Sequence, residues 1–349
     1  MKRDLSAFLD LLRTLAALTV FLSHLSSQGY GGEILADVGA QAHTAVVVFF
    51  VLSGFVISWA ARRDGSAHEY ILNRAARIYS VVLPAIALTW VIDNFLILQH
   101  SDVIGLNYQH DAVWKYLPLF LTFSTDFWFL SENAFSNVPY WSLCYEVWYY
   151  VLFGILFFGR PPRSRIIAIA VLLLIGPRLW LLWPVWLIGA YLHRLTPLPR
   201  NASRILAFAS VLLLIALRVT GVETALNDLL DQATGGFAKT YLRYSQFFVG
   251  DYLSAAAIAS LIHAARGADM SLLLPFKKQI AAMASVSFSM YLTHYPLLLL
   301  FGSFFPGRTA LIGLLTVVSI IIFAAVFEHH KAVFRRGFAA MWSLKAPSS

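Results

Sequence analysis

Apolar runs of about twenty residues recur along the whole sequence, and no polar stretch between them is long enough to form a separate soluble domain. A run of that length fits the roughly 30 Å hydrocarbon core of a bilayer at about 1.5 Å per helical residue. A helix there satisfies every backbone group internally, which lipid requires. The runs predict helices near 8–25, 42–61, 78–98, 139–158, 166–177, 180–193, 205–220, 249–265, 284–304 and 309–327. Charged residues make up 13% of the chain, against about 25% in soluble domains, so its surface needs lipid. The expectation is an all-α, polytopic membrane protein with about ten transmembrane helices, residues 1–349 forming one transmembrane domain.

The basic residues then set topology. With the N-terminus in the cytosol, 26–41 and 99–112 contain no Lys or Arg, whereas 62–77 contains Arg62, Arg63, Arg74 and Arg77. The apolar segment 113–130 decides the rest. If it crossed the membrane, every later basic cluster would fall outside. If it is re-entrant or interfacial, the clusters at 160–165, 194–204, 266–278 and 331–336 fall inside, as the positive-inside rule prefers. Both termini are therefore expected in the cytosol. The net charge of +8 resides in these clusters and reads as topology, not as a nucleic-acid-binding face. Segments 166–177 and 180–193 are short for a membrane hairpin, with Gly176-Pro177 as the turn. The basic start and first apolar run resemble a signal peptide, but Arg13 inside the run and the lack of a small-residue cleavage site favour a retained helix. Cys144 is the only cysteine, so no intrachain disulfide forms.

Charge inside a spanning helix costs about 2.5–3.5 kcal/mol at its centre on insertion scales and marks function or a buried partner. The first helix carries two such residues, Arg13 and His24, eleven positions apart. That offset is about 20° beyond three full turns, so they share one face, roughly 16 Å apart. Glu146 lies about two turns inside the span opening at 139, with no Lys or Arg beside it in sequence. A buried carboxylate needs a partner. His24, at comparable depth, is one candidate, and the Tyr and Trp side chains around Glu146 are another. Arg74 and Arg77, at i and i+3, fit either an anion clamp or a positive-inside anchor. Ser53-Gly54 fits either close helix packing or a narrow place where a chain-like ligand passes the backbone.

Ser287, Tyr291 and His294 form one stripe at helical spacing, and Pro296 removes a backbone bond beside it. His294 reads equally as a second polar site residue or as an interhelical hydrogen bond. Ser142 reads as a nucleophile or, more ordinarily, as a hydroxyl bonded to its own backbone. Cys144 has no base nearby to make a thiolate. Glu328 is expected to pair with a basic residue, His43 and His110 to be surface histidines, and no spacing resembles a metal site. Intramembrane Arg, Glu and His also fit a substrate or proton path in a transporter or flippase for a lipid-linked sugar. The absence of an internal repeat weighs against that class.

Taken together, these stretches resemble the acyltransferase-3 family of membrane O-acyltransferases. The matching pieces are the Arg13-to-His24 spacing, FFVLSGF at 49–55, RAAR at 74–77, PYWSLCYE at 139–146, SFSMYLTHYP at 287–296 and FE at 327–328, in family order over nearly the whole chain. The resemblance implies ten helices in a bacterial inner membrane and transfer of an acyl group from cytosolic acyl-CoA, acetyl-CoA most commonly, with succinyl or longer groups as variants. The acceptor it implies is a hydroxyl of a surface polysaccharide, glycolipid or other carbohydrate, with polysaccharide assembly machinery as a partner. His24 matches the family's essential histidine, as general base or transient acyl carrier, with Glu146 orienting it. Arg13, Arg74 and Arg77 match its essential arginines and are expected to hold coenzyme A, its pantetheine arm passing Ser53-Gly54. Ser142, Tyr291 and His294 are expected in support, with no metal. The family usually has a second serine and a second acidic residue where this chain has Cys144 and Val147, which argues against a mechanism built on either. The chain is expected to stand alone, without the extracytoplasmic hydrolase-like domain of some relatives.

Overall fold

A computed structural model describes residues 2–30, 41–99 and 107–343. Among them the secondary structure is helical, with one isolated bridge between Ala134 and Asn137. The main helices in chain order are α1 (Arg3–Leu25), α2 (Ala42–Asp64), α3 (Ala67–Gln99), α4 (Val113–Leu121), α5 (Trp141–Phe158), α6 (Arg163–Ile175) and α7 (Pro177–Tyr191). They continue with α8 (Arg200–Thr220), α9 (Val222–Ala233), α10 (Phe248–Gly267), α11 (Lys277–Ser285), α12 (Ser287–Phe304), α13 (Thr309–Phe327) and α14 (Lys331–Ser343).

Each of the ten expected segments is helical, but ten crossings are not met on length. Among the described residues seven helices are long and apolar enough to span, or eight if the pair α11–α12, bent by 45°, counts as one. The expected hairpin is the exception: α6 has 13 residues and α7 has 15. At 1.5 Å per residue they reach only about 20 and 23 Å, short of the roughly 30 Å core. Gly176 makes the turn between them at φ +83°, and its α-carbon faces the Trp128 backbone so closely that a side chain would collide.

Several basic residues gather at one end of the bundle. Asp10 of α1 lies in the field of Arg77 and Lys277. Arg62 of α2 reaches His193, Arg266 of α10 reaches the Leu192 carbonyl, and Arg335 of α14 reaches Glu69 at the start of α3. At the opposite end His43, Trp141 and Asp251 lie in the first turns of α2, α5 and α10 and cluster together.

The stretch 113–130 enters and leaves the bundle at that opposite end. Near its start His110 bonds Asn94 of α3, at 3.0 Å. At its deepest, the Leu121 carbonyl accepts the Tyr79 hydroxyl at 2.7 Å. On its return Ser136 donates to Asp93 from both backbone and side chain, at 2.8 and 2.6 Å. Tyr79 and Asp93 are fourteen residues apart on one helix, so the dip is about 21 Å deep. Irregular backbone at such depth survives only where protein supplies its hydrogen bonds. Tyr140 donates to the Phe120 carbonyl, Cys144 and Trp148 to Phe123, and Arg178 to Leu130.

Small residues let the central helices touch. A β-carbon on Gly54 would strike the Trp186 carbonyl, and one on Gly189 would strike the Val51 carbonyl. The α2–α7 crossing therefore depends on two glycines facing opposite backbones, the packing route open to helices in lipid. It fixes α2 with Ser53 on the wall of the cleft described below.

Candidate active site

Helices α1, α2, α3, α5 and α12 surround a narrow cleft of about 70 Å³ lined by Arg13, Ser53, Arg77, Ser142, Glu146, Tyr150 and Tyr291 among apolar neighbours. That is well below the roughly 300–1,000 Å³ of small-molecule sites, so a ligand enters only if its walls part. Arg13 and Arg77 hold its basic end. Arg13 pairs with Asp10 at 3.7 Å, and Arg77 makes no ion pair with any described residue. Two guanidiniums on one cleft repel each other, and an anion between them relieves that repulsion.

Glu146 sits at mid-depth. Its Oε1 accepts the Ser53 hydroxyl at 2.6 Å and the Tyr150 hydroxyl, while Trp186 Nε1 donates to Ser53 Oγ at 3.2 Å. One turn further along α5, the Ser142 and Tyr291 hydroxyls meet at 2.5 Å. Tyr291 also donates to the Pro139 carbonyl at 3.1 Å.

Beyond Tyr291 lies the histidine pair. His24 Nδ1 and His294 Nε2 are 2.8 Å apart, with the rings stacked 5.0 Å between centroids. The other nitrogen of His294, Nδ1, is 2.8 Å from the Met290 carbonyl. A carbonyl only accepts, so Nδ1 of His294 carries its proton. In the neutral ring Nε2 is then an acceptor, His24 Nδ1–H donates to it, and the lone pair of His24 is left on Nε2. The edge of Tyr295 lies against the His24 ring at 5.2 Å, and Gln28 donates to the Tyr295 hydroxyl at 2.7 Å.

Pro296 helps to hold His294. It has no N–H for the carbonyl four residues earlier, that of Leu292. Asn137, at the end of the re-entrant stretch, donates to that carbonyl at 2.7 Å. The re-entrant segment thus closes the gap that the proline opens two residues from His294.

Several expected pairings fall differently. Glu146 does not meet His24, because Ser53 and Tyr150 occupy its Oε1, and the partner of His24 is His294. Arg74 does not join Arg77 in the cleft: the buried carboxylate of Asp64 draws it away, at 3.7 Å. Ser53 lines the cleft, but Gly54 faces Trp186 of α7 and not a ligand. Independently of any basic partner, Glu328 accepts from Ser289 Oγ at 2.6 Å, at the start of α12. His43 and His110 are not surface histidines. His43 stacks on Trp141 and lies 2.9 Å from Asp251, and His110 lies 3.6 Å from buried Asp93.

Tyr150 and Asn137 escaped the sequence reading. Tyr150 follows Glu146 by four residues, a spacing that puts two side chains together on one helix face. Pro296 announces an orphan carbonyl, but nothing local says which donor finds it. Among the described residues no cluster of three or more His, Cys, Asp or Glu could hold a metal ion.

An all-helical bundle with several spans, a re-entrant stretch and a buried polar cleft lined by two arginines, with a histidine pair behind its Tyr291, defines an integral membrane protein with an internal site. Residues 6–329 match the family described as an acyltransferase domain, so the chain belongs to the acyltransferase-3 family. Among curated relatives it is similar to an O-acetyl transferase of Shigella phage Sf6, 28% identical over 150 residues, which is 42% of this chain and 44% of that protein. It is similar also to the acyltransferase MdmB of Streptomyces mycarofaciens, 31% identical over 150 residues, 41% of this chain and 36% of that protein. Each match spans less than half of the relative's length. No solved structure matches.

Proposed function

We propose that this protein is an O-acyltransferase of the bacterial inner membrane. It takes an acyl group, acetyl in the first instance, from cytosolic acyl-CoA and places it on a hydroxyl of an extracytoplasmic or lipid-linked carbohydrate. Family membership and the name of the phage relative support the reaction class. The observation that carries the reading is the bonded histidine pair, which packs behind the Tyr291 that lines a cleft holding two arginines. Arg13 and Arg77 receive the phosphates of the donor as charge-assisted pairs. The cleft past Ser53 and Glu146 takes the pantetheine arm. Arg13 and His24 share one helix face roughly 16 Å apart, about the length of that arm extended.

His24 Nε2 accepts the proton of the acceptor hydroxyl as the oxygen attacks the thioester carbonyl. His294 holds the His24 ring in the required tautomer and shares the charge that forms. The carbon–sulfur bond breaks, and the imidazolium returns its proton to the leaving thiolate. General base catalysis of this kind is worth about 10²–10⁴-fold.

The test is transfer of labelled acetyl from acetyl-CoA by protein in proteoliposomes, with a carbohydrate acceptor on the opposite side. Wild type transfers label, and His24→Ala, with an unchanged melting profile, falls to background. Wild-type turnover in His24→Ala would refute the assignment of the base. A wild type that is not stabilised by acetyl-CoA, yet moves a lipid-linked sugar across the membrane, would refute the enzyme.

A further inference from the structure

A second cavity lies on the other side of α2, between α5, α7, α8 and α10, at the basic end of the bundle. It holds about 840 Å³, with walls of apolar side chains such as Leu156, Phe157, Leu187 and Leu206. That is in the upper part of the roughly 300–1,000 Å³ range of ligand sites. Its polar end carries Ser58, His193, Arg194 and His263, and no carboxylate lines it.

The cations around that end form a set. Arg62 donates to His193 Nε2 at 2.7 Å. An imidazole nitrogen that accepts leaves the other to donate, so His193 Nδ1–H faces the Ala190 carbonyl at 2.7 Å and Ser58 Oγ at 2.6 Å. Arg266 donates to the carbonyls of Leu192 and Leu195. Arg194 lies over the Tyr191 ring, 5.7 Å from its centroid. Arg62, Arg194 and Arg266 all act electrostatically on His193. Arg266 is committed to backbone. Arg62 and Arg194 make no ion pair with any described residue.

We propose that this cavity binds one anionic glycerophospholipid from the leaflet at the basic end, with its phosphate between Arg62 and Arg194 and its acyl chains along the apolar walls. A free phosphate would answer the guanidiniums and leave the walls to water. A zwitterionic lipid would fill the walls but bring its own ammonium among three arginines. A phosphodiester with two chains and no cation matches both parts, as basic pockets between helices at a cytosolic face do for anionic headgroups. The inference needs only the membrane reading and stands apart from the acyl-transfer reaction.

The experiment uses full-length protein, delipidated in detergent, titrated with phosphatidylglycerol or phosphatidylcholine of the same chains. Thermal unfolding and native mass spectrometry supply the readouts. Phosphatidylglycerol is expected to raise the melting temperature and remain bound at a concentration at least tenfold lower than phosphatidylcholine. Arg62→Gln/Arg194→Gln should abolish that preference without changing the lipid-free melt. Ala256→Trp, at an exposed wall position, should fill the cavity and weaken binding of the phosphatidylglycerol itself. Equal binding of the two lipids would mean an ordinary annular contact and would overturn the proposal. So would an equal shift from glycerol phosphate alone, an unaffected Ala256→Trp, or release of the bound lipid by acetyl-CoA.

Discussion

The sharpest consequence of the histidine pair concerns His294, which touches no reacting atom in the mechanism above. Its Nε2 accepts from His24 Nδ1 at 2.8 Å, and its own tautomer is fixed by the Met290 carbonyl at 2.8 Å. Replace it by leucine and two things change. As His24 takes a proton, the bond to His294 passes from neutral to charge-assisted, and its net worth rises from about 0.5–1.5 to about 1.5–3 kcal/mol. The transition state gains about 1–1.5 kcal/mol over the ground state, or about 5- to 13-fold in rate. Without an acceptor on Nδ1, the two neutral tautomers of His24 also compete, and only one presents a lone pair on Nε2, roughly another twofold. His294→Leu should therefore lower kcat by about 10- to 30-fold with the donor KM unchanged. His294→Gln, whose amide oxygen can accept from Nδ1–H, should recover all but about threefold. Single-turnover acetyl transfer in proteoliposomes reads both, with the melting profile as the control for folding. A folded His294→Leu protein with wild-type kcat, or a loss confined to KM, would refute the positioning role.

Arg77→Gln should raise the acetyl-CoA KM at least tenfold, since a charge-assisted pair is worth about 1.5–3 kcal/mol. Arg74→Gln should leave KM within about threefold and lower the melting temperature, because it strips the buried Asp64 of its cation; equal KM effects would refute the division. A double-mutant cycle between Glu146→Gln and His24→Ala, read as acetyl-CoA binding, should show coupling below about 0.5 kcal/mol, the limit for residues without shared partners. Coupling above about 1 kcal/mol would restore the Glu146–His24 pair that the geometry excludes. Asn137→Leu leaves the Leu292 carbonyl unpaired and should cost about 1–3 kcal/mol of stability. Pro296→Ala in that background returns a backbone N–H and should recover most of it, so a further loss in the double variant would contradict the orphan-carbonyl account.

What could be read in advance follows the range of the physics involved. The apolar runs produced helices because the period and length of an apolar segment are local properties. The re-entrant character of 113–130 was legible for a different reason: charge bias between loops constrains a segment that itself carries little signal. The short hairpin α6–α7 shows the limit of that route, since apolar composition says a segment prefers lipid but only its length says whether it crosses. Within the site, the Arg13–His24 spacing was readable because one rigid helix carries both residues. The pairing of His24 was not, because it joins residues 270 positions apart, and the partner that depth suggested was Glu146. A local fact settled it, though not one that names a partner. Glu146 has Tyr150 one turn away on its own helix and Ser53 across from it, so one of its oxygens accepts from two donors without His24. Buried acceptors take the nearest donor that packing allows. The same rule explains Arg74, which Asp64 claims, and Asn137, which the proline's missing N–H recruits. Reading a membrane site from sequence therefore begins with local satisfaction of each polar group. Only those left over after that step, here Arg77 and the Nε2 of His24, remain as the first candidates for chemistry.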